Sequence, residues 1–330
     1  MPVTIKDVAR AAGVSPATVS RTLATPELVH ADTRRRVQQA VDALGYKPNR
    51  AARGLITGRT GNLGLIVPDL TNPFFPGVVK GVQTRARESD YAVFLADTDE
   101  DPSAEADVVR NLSKQVDGII LCSPRMSEEE LRSLTGETPI VMLNRRVGRM
   151  PSVTVNSADG IRQAVAHLTA LGHRRIAYVP GPKLSWSNRE RVRALRQHTA
   201  AAGVELVEIG NVAPQFAGGV AAADQVLATG VTAVLGYNDL VALGMLSRFA
   251  ARGVAVPERI SVMGFDDIVL SEMVNPSLTT LAQPKEQTGR AGVDLLLQLL
   301  ADPERAFSRR ELESHLMVRN STGPAPTPSH

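Results

Sequence analysis

Two kinds of hydrophobic pattern divide the chain. In the first sixty residues, apolar positions recur at helical spacing within short segments: Ile5, Val8, Ala9 and Ala12, then Val37, Ala40, Val41 and Leu44. From residue 63 onward, continuous apolar runs alternate with longer amphipathic stretches. Runs at 63–67, 91–96, 118–121, 140–143, 176–179, 231–235 and 260–265 read as strands. Stretches at 74–89, 103–115, 158–171, 188–202, 216–229, 238–252 and 285–300 read as helices. Strand–helix alternation predicts parallel sheets covered on both faces. The two sets of runs predict two α/β lobes, with any ligand in the crevice at the carboxyl ends of the strands.

The opening segment TIKDVARAAGVSPATVSR, residues 4–21, carries its own punctuation. Thr4 can cap a first helix, and Asp7 three positions on faces back toward it. Gly13 permits the backbone to leave that helix. Ser15 can cap a second, with Pro16 at its first position, where a missing N–H costs nothing. Helix, glycine turn and capped helix make the helix-turn-helix pattern, whose second helix enters the DNA major groove. An ordinary helical hairpin fits the bare pattern equally well. A third helix is expected over 32–44, opened by Arg34, Arg35 and Arg36 and stopped by Pro48, after which Asn49 can cap a fourth short one.

Charge shifts the balance toward nucleic acid. Ten basic side chains against four acids give residues 1–60 a formal charge of +6, whereas the whole chain carries +3, leaving −3 on the other 270 residues. A one-sided basic segment is what phosphate binding requires. At 330 residues and 43% apolar, the chain can bury a sizeable core in two or three domains. Cys122 is the single cysteine, so no intramolecular disulfide can form, and its place in GIILC reads as a small buried hydrophobe. No apolar run approaches the ~20 residues of a membrane span, and the polar N-terminus lacks a secretory pattern. The expectation is a cytoplasmic protein with no membrane partner.

VTIKDVARAAGVSPATVSR, TRRRV and YKPNRAARGL resemble the DNA-binding headpiece of LacI/GalR-type transcriptional regulators. The resemblance implies an α/β chain with an all-α helix-turn-helix headpiece (1–60, hinge helix about 49–56). A bilobal effector domain (61–320) built on two doubly wound parallel sheets, like periplasmic sugar-binding proteins, would follow. Its N-lobe would cover about 61–157 with a C-terminal return at about 285–320, its C-lobe about 158–284, and 321–330 (STGPAPTPSH) would be disordered. In the headpiece, Pro16, Ala17 and Arg21 would set base preference, while Thr18 and Ser20 fix register on phosphates. Thr4, Ser15, Thr33, Tyr46, Asn49 and Ala52 would complete the DNA surface. Arg50 and Arg53 would add charge beside Leu55, a wedge opening the minor groove.

Polar residues stand after the apolar runs with some regularity, although each alone also reads as turn chemistry or a helix cap. PDLTNPFF, YNDLVALG, ISVMGFDD and the LTT–Q segment resemble the effector-domain motifs of the same family. By position, the family's contacts fall on Phe74, Asn144, Arg191, Asn238, Asp266 and Gln283, with Asn72 and Trp186 as further candidates beside them. Arg191 would clamp hydroxyls or a carboxylate, Asn238 and Asp266 would bond vicinal hydroxyls, and Phe74 or Trp186 would stack on a sugar face. Ala194 replaces the usual glycine after the clamp arginine, and His30 replaces the usual serine cap of the third helix. The implied function is a repressor that binds a pseudo-palindromic operator as a homodimer under control of a sugar-like effector, without a cofactor, metal or catalytic residue. A transport receptor would share the lobes but not the basic helix-turn-helix. An enzyme would need a nucleophile elbow, P-loop, HExxH or dinucleotide glycines, and the sequence has none of them.

Overall fold

A computed structural model of the chain describes residues 3–46, 59–134, 136, 138–302 and 308–327. It divides into two compact units, Met1–Gly61 and Asn62–His330. The first is helical: α1 (Ile5–Ala12), α2 (Pro16–Ala24), a 3-10 turn at Pro26–Leu28, and α3 (Ala31–Leu44). Val8, Ala9, Ala12, Val19, Val37 and Ala40 form its core, with Ile5, Val14, Leu23, Val41 and Tyr46 packed around them. The residues expected to make a hinge helix, about 49–56, lie outside the described residues, and with them Asn49, Arg50, Ala52, Arg53 and Leu55.

The second unit holds two six-stranded sheets. The N-lobe sheet runs in the order β11 (Arg309–Leu312), β5 (Ser152–Val155), β4 (Ile140–Leu143), β3 (Gly118–Cys122), β1 (Asn62–Val67), β2 (Ala92–Asp97), and all its pairings are parallel. The C-lobe sheet runs β12 (His315–Met317), β10 (Thr279–Ala282), β9 (Ser261–Asp266), β8 (Ala233–Gly236), β6 (Arg175–Val179), β7 (Glu205–Glu208). Only its β10–β12 edge is antiparallel.

Central strands alternate between two buried faces, as period-2 geometry demands. In β1, Leu63, Leu65 and Val67 meet the helices α4 (Phe74–Arg87) and α12 (Lys285–Ala301), while Ile66 turns to Val109 of α5 (Pro102–Leu112). In β6, Ile176 and Tyr178 face α7 (Ser157–Ala170) and α8 (Trp186–Ala201). Ala177 and Val179 face α9 (Phe216–Ala228) and α10 (Asp239–Ala251). Two short helices, α6 (Glu128–Ser133) and α11 (Leu270–Met273), complete the layers. α4 and α12 approach at Gly81, where a Cβ would sit 2.1 Å from the Glu286 carbonyl oxygen.

The C-terminus departs from expectation in two places. The chain returns to the N-lobe through α12 and β11, then crosses again, and β12 joins the C-lobe sheet. Nor do residues 321–325 of the expected disordered tail hang free, while 328–330 lie outside the described residues. Ser321 is fully buried, donates Oγ to the Val262 carbonyl at 2.6 Å and accepts the Thr279 N–H at 2.8 Å. His173 sits between Thr232, Ser261 and the Gly323 carbonyl, and Ala325 N–H reaches the Leu171 carbonyl at 2.8 Å. Composition predicts disorder, but each of these polar groups meets a partner on β9, at the start of β10 or in the loops beside them. Three crossovers link the lobes, near Asn156, Gln283 and Glu313. Asn156 ties two of them, donating its N–H to the Leu312 carbonyl and accepting the Ser314 hydroxyl.

Candidate functional site

In the helical unit, Asp7 accepts both the backbone N–H and the hydroxyl of Thr4, at 3.0 and 2.7 Å, closing the first turn of α1. Gly13 leaves that helix at φ 63, and Val14 N–H returns to the Ala9 carbonyl. Ser15 caps α2 by accepting the Thr18 N–H at 3.1 Å. Val19 and Thr22 then face inward, so Pro16, Ala17, Ser20 and Arg21 share the outward face, with Ser20 half-buried and the others exposed. Thr18 is half-buried, its hydroxyl 2.9 Å from that of Ser15. Thr33 and Tyr46 are half-buried as well. His30 begins α3 without a side-chain cap, and Asp32 pairs with Arg35 at 2.6 Å. The outward face of α2 is therefore small, hydrogen-bonding and cationic, a shape that can approach base edges closely.

The second site lies between the lobes. Asn72, Phe74, Asn144, Arg191, Asn238, Asp266 and Gln283 line one cavity there. Strand ends place them: Asn144 follows β4, Asp266 ends β9, and Gln283 follows β10. Ser123, Asn144 and Asp266 hold φ of 50, 53 and 116, a region non-glycine residues seldom adopt, and such strain gathers where side chains must be aimed. Trp186 does not line the cavity. It opens α8 one residue before Ser187, and it is Ser187, on the same helix face as Arg191, that does.

Arg191 is the centre of this site. It is 4% exposed, its Cζ lies 3.6 Å from the centroid of the Phe265 ring, and Nη1 donates to the Tyr237 carbonyl. Nη2 stands 3.7 Å from Asp266 Oδ1, and Nε is buried without a hydrogen-bond partner among the described residues. Gln283 donates to Asp266 at 2.6 Å, and Lys285 Nζ donates to the carbonyls of Asp266 and Asp267 at 2.8 and 2.6 Å. Burial pushes the Asp266 carboxyl up to about 7, against the pull of Arg191. Asp239 beneath it, holding Thr280, Ser271 and the Ile268 N–H, is pushed up to about 6, again chiefly by burial. Asn238 both lines the cavity and caps α10, accepting Val241 N–H at 2.9 Å while donating to the Pro214 carbonyl at 2.8 Å.

Sequence reasoning missed Arg125. It enters the cavity from the loop after β3, gripped by Glu100 through two bonds of 2.6 and 2.8 Å. Glu105 accepts its backbone N–H and that of Met126. Its only signal was a basic residue directly after a buried strand, in SPRMS. The open space among these side chains is small, about 30 Å³, room for about two water molecules, so a larger guest must part the lobes. Elsewhere, Cys122 is buried with its thiol pushed up to about 12 by burial. Among the described residues no His/Cys/Asp/Glu group is placed to hold a metal, and no helix is long and apolar enough to cross a membrane.

Comparison with known proteins bears on both units. Residues 4–49 match the model for bacterial regulatory proteins of the lacI family, and 165–322 match that for a periplasmic binding protein-like domain. The HTH-type transcriptional regulator DegA of Bacillus subtilis is 32% identical over 99% of this chain and 100% of its own. The chain belongs to the LacI family. Among solved structures, the lac repressor dimer bound to operator and the anti-inducer ONPF superposes with a TM-score of 0.86, at 30% identity over 98% of this chain and 100% of that one. The transcriptional regulator CelR in complex with cellobiose gives 0.72, at 32% identity over 97% and 99%. This LacI-family chain is thus a DNA-binding transcriptional regulator with a ligand-binding effector domain.

Proposed function

We propose that the protein is a repressor that binds a pseudo-palindromic operator as a homodimer, its grip set by a sugar-like molecule held between the lobes. One observation carries the reading: the chain that presents Pro16, Ala17, Ser20 and Arg21 on one helix face also converges Arg191, Asp266 and Gln283 on an interlobe cavity. In this reading Pro16, Ala17 and Arg21 touch base edges, and Thr4, Ser15, Thr18, Ser20, Thr33 and Tyr46 settle the helix on the backbone. Asn49, Arg50, Ala52 and Arg53 extend the contact toward the minor groove, where Leu55 acts as the wedge.

In the cleft, Arg191 offers a fixed fork of donors, Asp266 and Gln283 offer complementary acceptor and donor atoms, and Phe74 offers a ring face. Asn72, Asn144 and Asn238 frame the hydroxyls. Cellobiose in the CelR complex and the operator-bound lac repressor dimer support the effector class and the assembly for this chain by similarity. Coupling between the sites is reciprocal, so operator DNA alters effector affinity by the same factor as effector alters operator affinity. The reading assigns no catalysis.

The test is binding of the purified chain to the DNA preceding its own coding region, against scrambled DNA, with and without sugars. A salt-dependent preference for a palindrome that shifts with one compound is expected. Equal affinity for every sequence under all conditions would overturn it.

A further inference from the structure

A second cavity lies on the other side of α8 and shares no lining residue with the interlobe site. Ser187 and Arg191 of that helix line the cleft, whereas Asn188, Arg189, Val192, Arg193 and Arg196 line a groove bordered by the segments that follow β6 and β7. Its open space is about 450 Å³, the size of a small-molecule site. Lys183, Arg189, Arg193 and Arg196 border it, and Glu208 is the only acid lining it among the described residues. Glu208 takes Arg196 through two bonds of 2.6 and 2.9 Å, and Glu190, outside the lining, takes Arg193. Arg189 reaches only the carbonyls of Lys183 and Leu184, at 3.4 and 3.2 Å, and the Lys183 amine meets no acid among the described residues. Four cations against two acids leave an excess of +2. Arg189 and Arg193 stand four apart on the helix, and Arg193 and Arg196 three apart, spacings at which like charges repel. Beneath them Asn188 is 4% exposed, and its Oδ1 accepts the Tyr178 hydroxyl and the Gly181 N–H, both at 3.1 Å. Asn211 donates to the Gly181 carbonyl at 2.6 Å, so this backbone is held from both sides. The amide nitrogen of Asn188 has no partner among the described residues and is left for a guest. Pro180, Val192 and Ile209 add apolar surface to the same groove.

We propose that this groove is a second small-molecule site, separate from the interlobe cleft, and that it takes an organic phosphate monoester. The phosphate sits with Lys183 and Arg189, the two cations without an acid, and the organic body lies against Pro180, Val192 and Ile209. The charges match: a phosphate monoester carries about −1.5 to −2 near pH 7, close to the excess on the lining. Its oxygens accept charge-assisted bonds from the ammonium and guanidinium, and they relieve the repulsion along the arginine ridge. The Asn188 amide gives an uncharged donor to the body or to the ester oxygen. The cleft plays no part in this site, so its ligand need not be the effector held between the lobes.

The test is calorimetry on the full-length protein with AMP and glucose 6-phosphate, each beside its parent without phosphate, and with inorganic phosphate alone. At least one ester should bind ~10-fold or more tightly than its parent and than inorganic phosphate, and the gap should shrink as salt rises. Lys183→Gln and Arg189→Gln, both on exposed residues outside the interlobe lining, should each bring the ester-to-parent ratio toward one. Thermal unfolding of the two variants without ligand should match the native chain, which separates lost binding from lost folding. A phosphate preference that survives both substitutions would place the ligand elsewhere and overturn the site. Inorganic phosphate binding as tightly as either ester would overturn the organic body and leave an anion patch only. Esters that bind no better than their parents would overturn the proposal outright.

Discussion

Arg191 and Asp266 lie 3.7 Å apart between the lobes, both at least nine-tenths buried, with the guanidinium stacked on Phe265. Neither saturates the other: Arg191 Nε is left without a partner, and Gln283 makes the shorter bond to the carboxyl. A pair held close but incompletely matched is poised to take a third group. Arg191→Lys keeps the charge and removes the fork. Effector binding should fall ~10-fold or more, while operator affinity without effector stays near its starting value. Titration of both ligands checks this, and an unchanged effector response would remove Arg191 from the site.

The carboxyl of Asp266 also sets a pH dependence. With its pKa pushed up to about 7 in the fold, against ~4 for an unfolded carboxyl, the native state holds a proton that the unfolded chain releases. Its contribution is fully present below pH ~4 and is lost as pH rises through about 7. His167 and His173, pushed down by burial, act in the opposite sense over part of that window. The difference between the native chain and Asp266→Asn isolates the effect. Between pH 5 and 8 the native chain should lose more urea resistance than the variant; parallel slopes would refute it.

Arg21→Ala should weaken binding to the preferred operator by ~1–3 kcal/mol and relax the base preference beneath it. Binding to random DNA should drop far less. Competition assays at fixed salt separate the two, and equal losses would make Arg21 a phosphate contact.

Gly81→Ala would drive a methyl group into the Glu286 carbonyl, forcing α4 from α12. Overpacking of this kind costs ~1–3 kcal/mol, and it should appear in the urea midpoint of the effector domain. Gly210→Ala, on an exposed residue with open space around it, is the control and should change little.

Ser321→Ala leaves the buried Thr279 N–H without the side-chain oxygen it now bonds, a loss of ~1–3 kcal/mol. Truncation after Asn320 should cost more, because the links to His173 and Leu171 go too. A free tail would show neither effect in thermal unfolding.

How far the sequence reached is clearest strand by strand. Runs such as Ile119–Leu121 and Ile176–Val179 are apolar throughout because both faces of a central parallel strand are buried, so local composition alone marked them. Three of the four edge strands, β7, β11 and β12, carry Glu205, Glu208, Arg309, Arg310, Glu311 and His315. Their residence in a sheet is decided by the neighbour they pair with, a non-local fact. Caps and turns were equally local: Thr4 with Asp7, Gly13, and Ser15 with Pro16 act within a few residues, and the chain read in order revealed them.

What the sequence by itself determined, then, was where apolar faces and turns fall, and with them the helix-turn-helix and the alternating lobes. Only the tertiary structure decided which polar side chains share a cavity. It drew Arg125 in through Glu100, some 25 positions away, and left Trp186 aside for Ser187 by a hundred-degree turn of helix. It also bound Ser321 to Thr279 at the start of β10. Secondary structure answers to neighbours along the chain, whereas a binding site answers to neighbours in space.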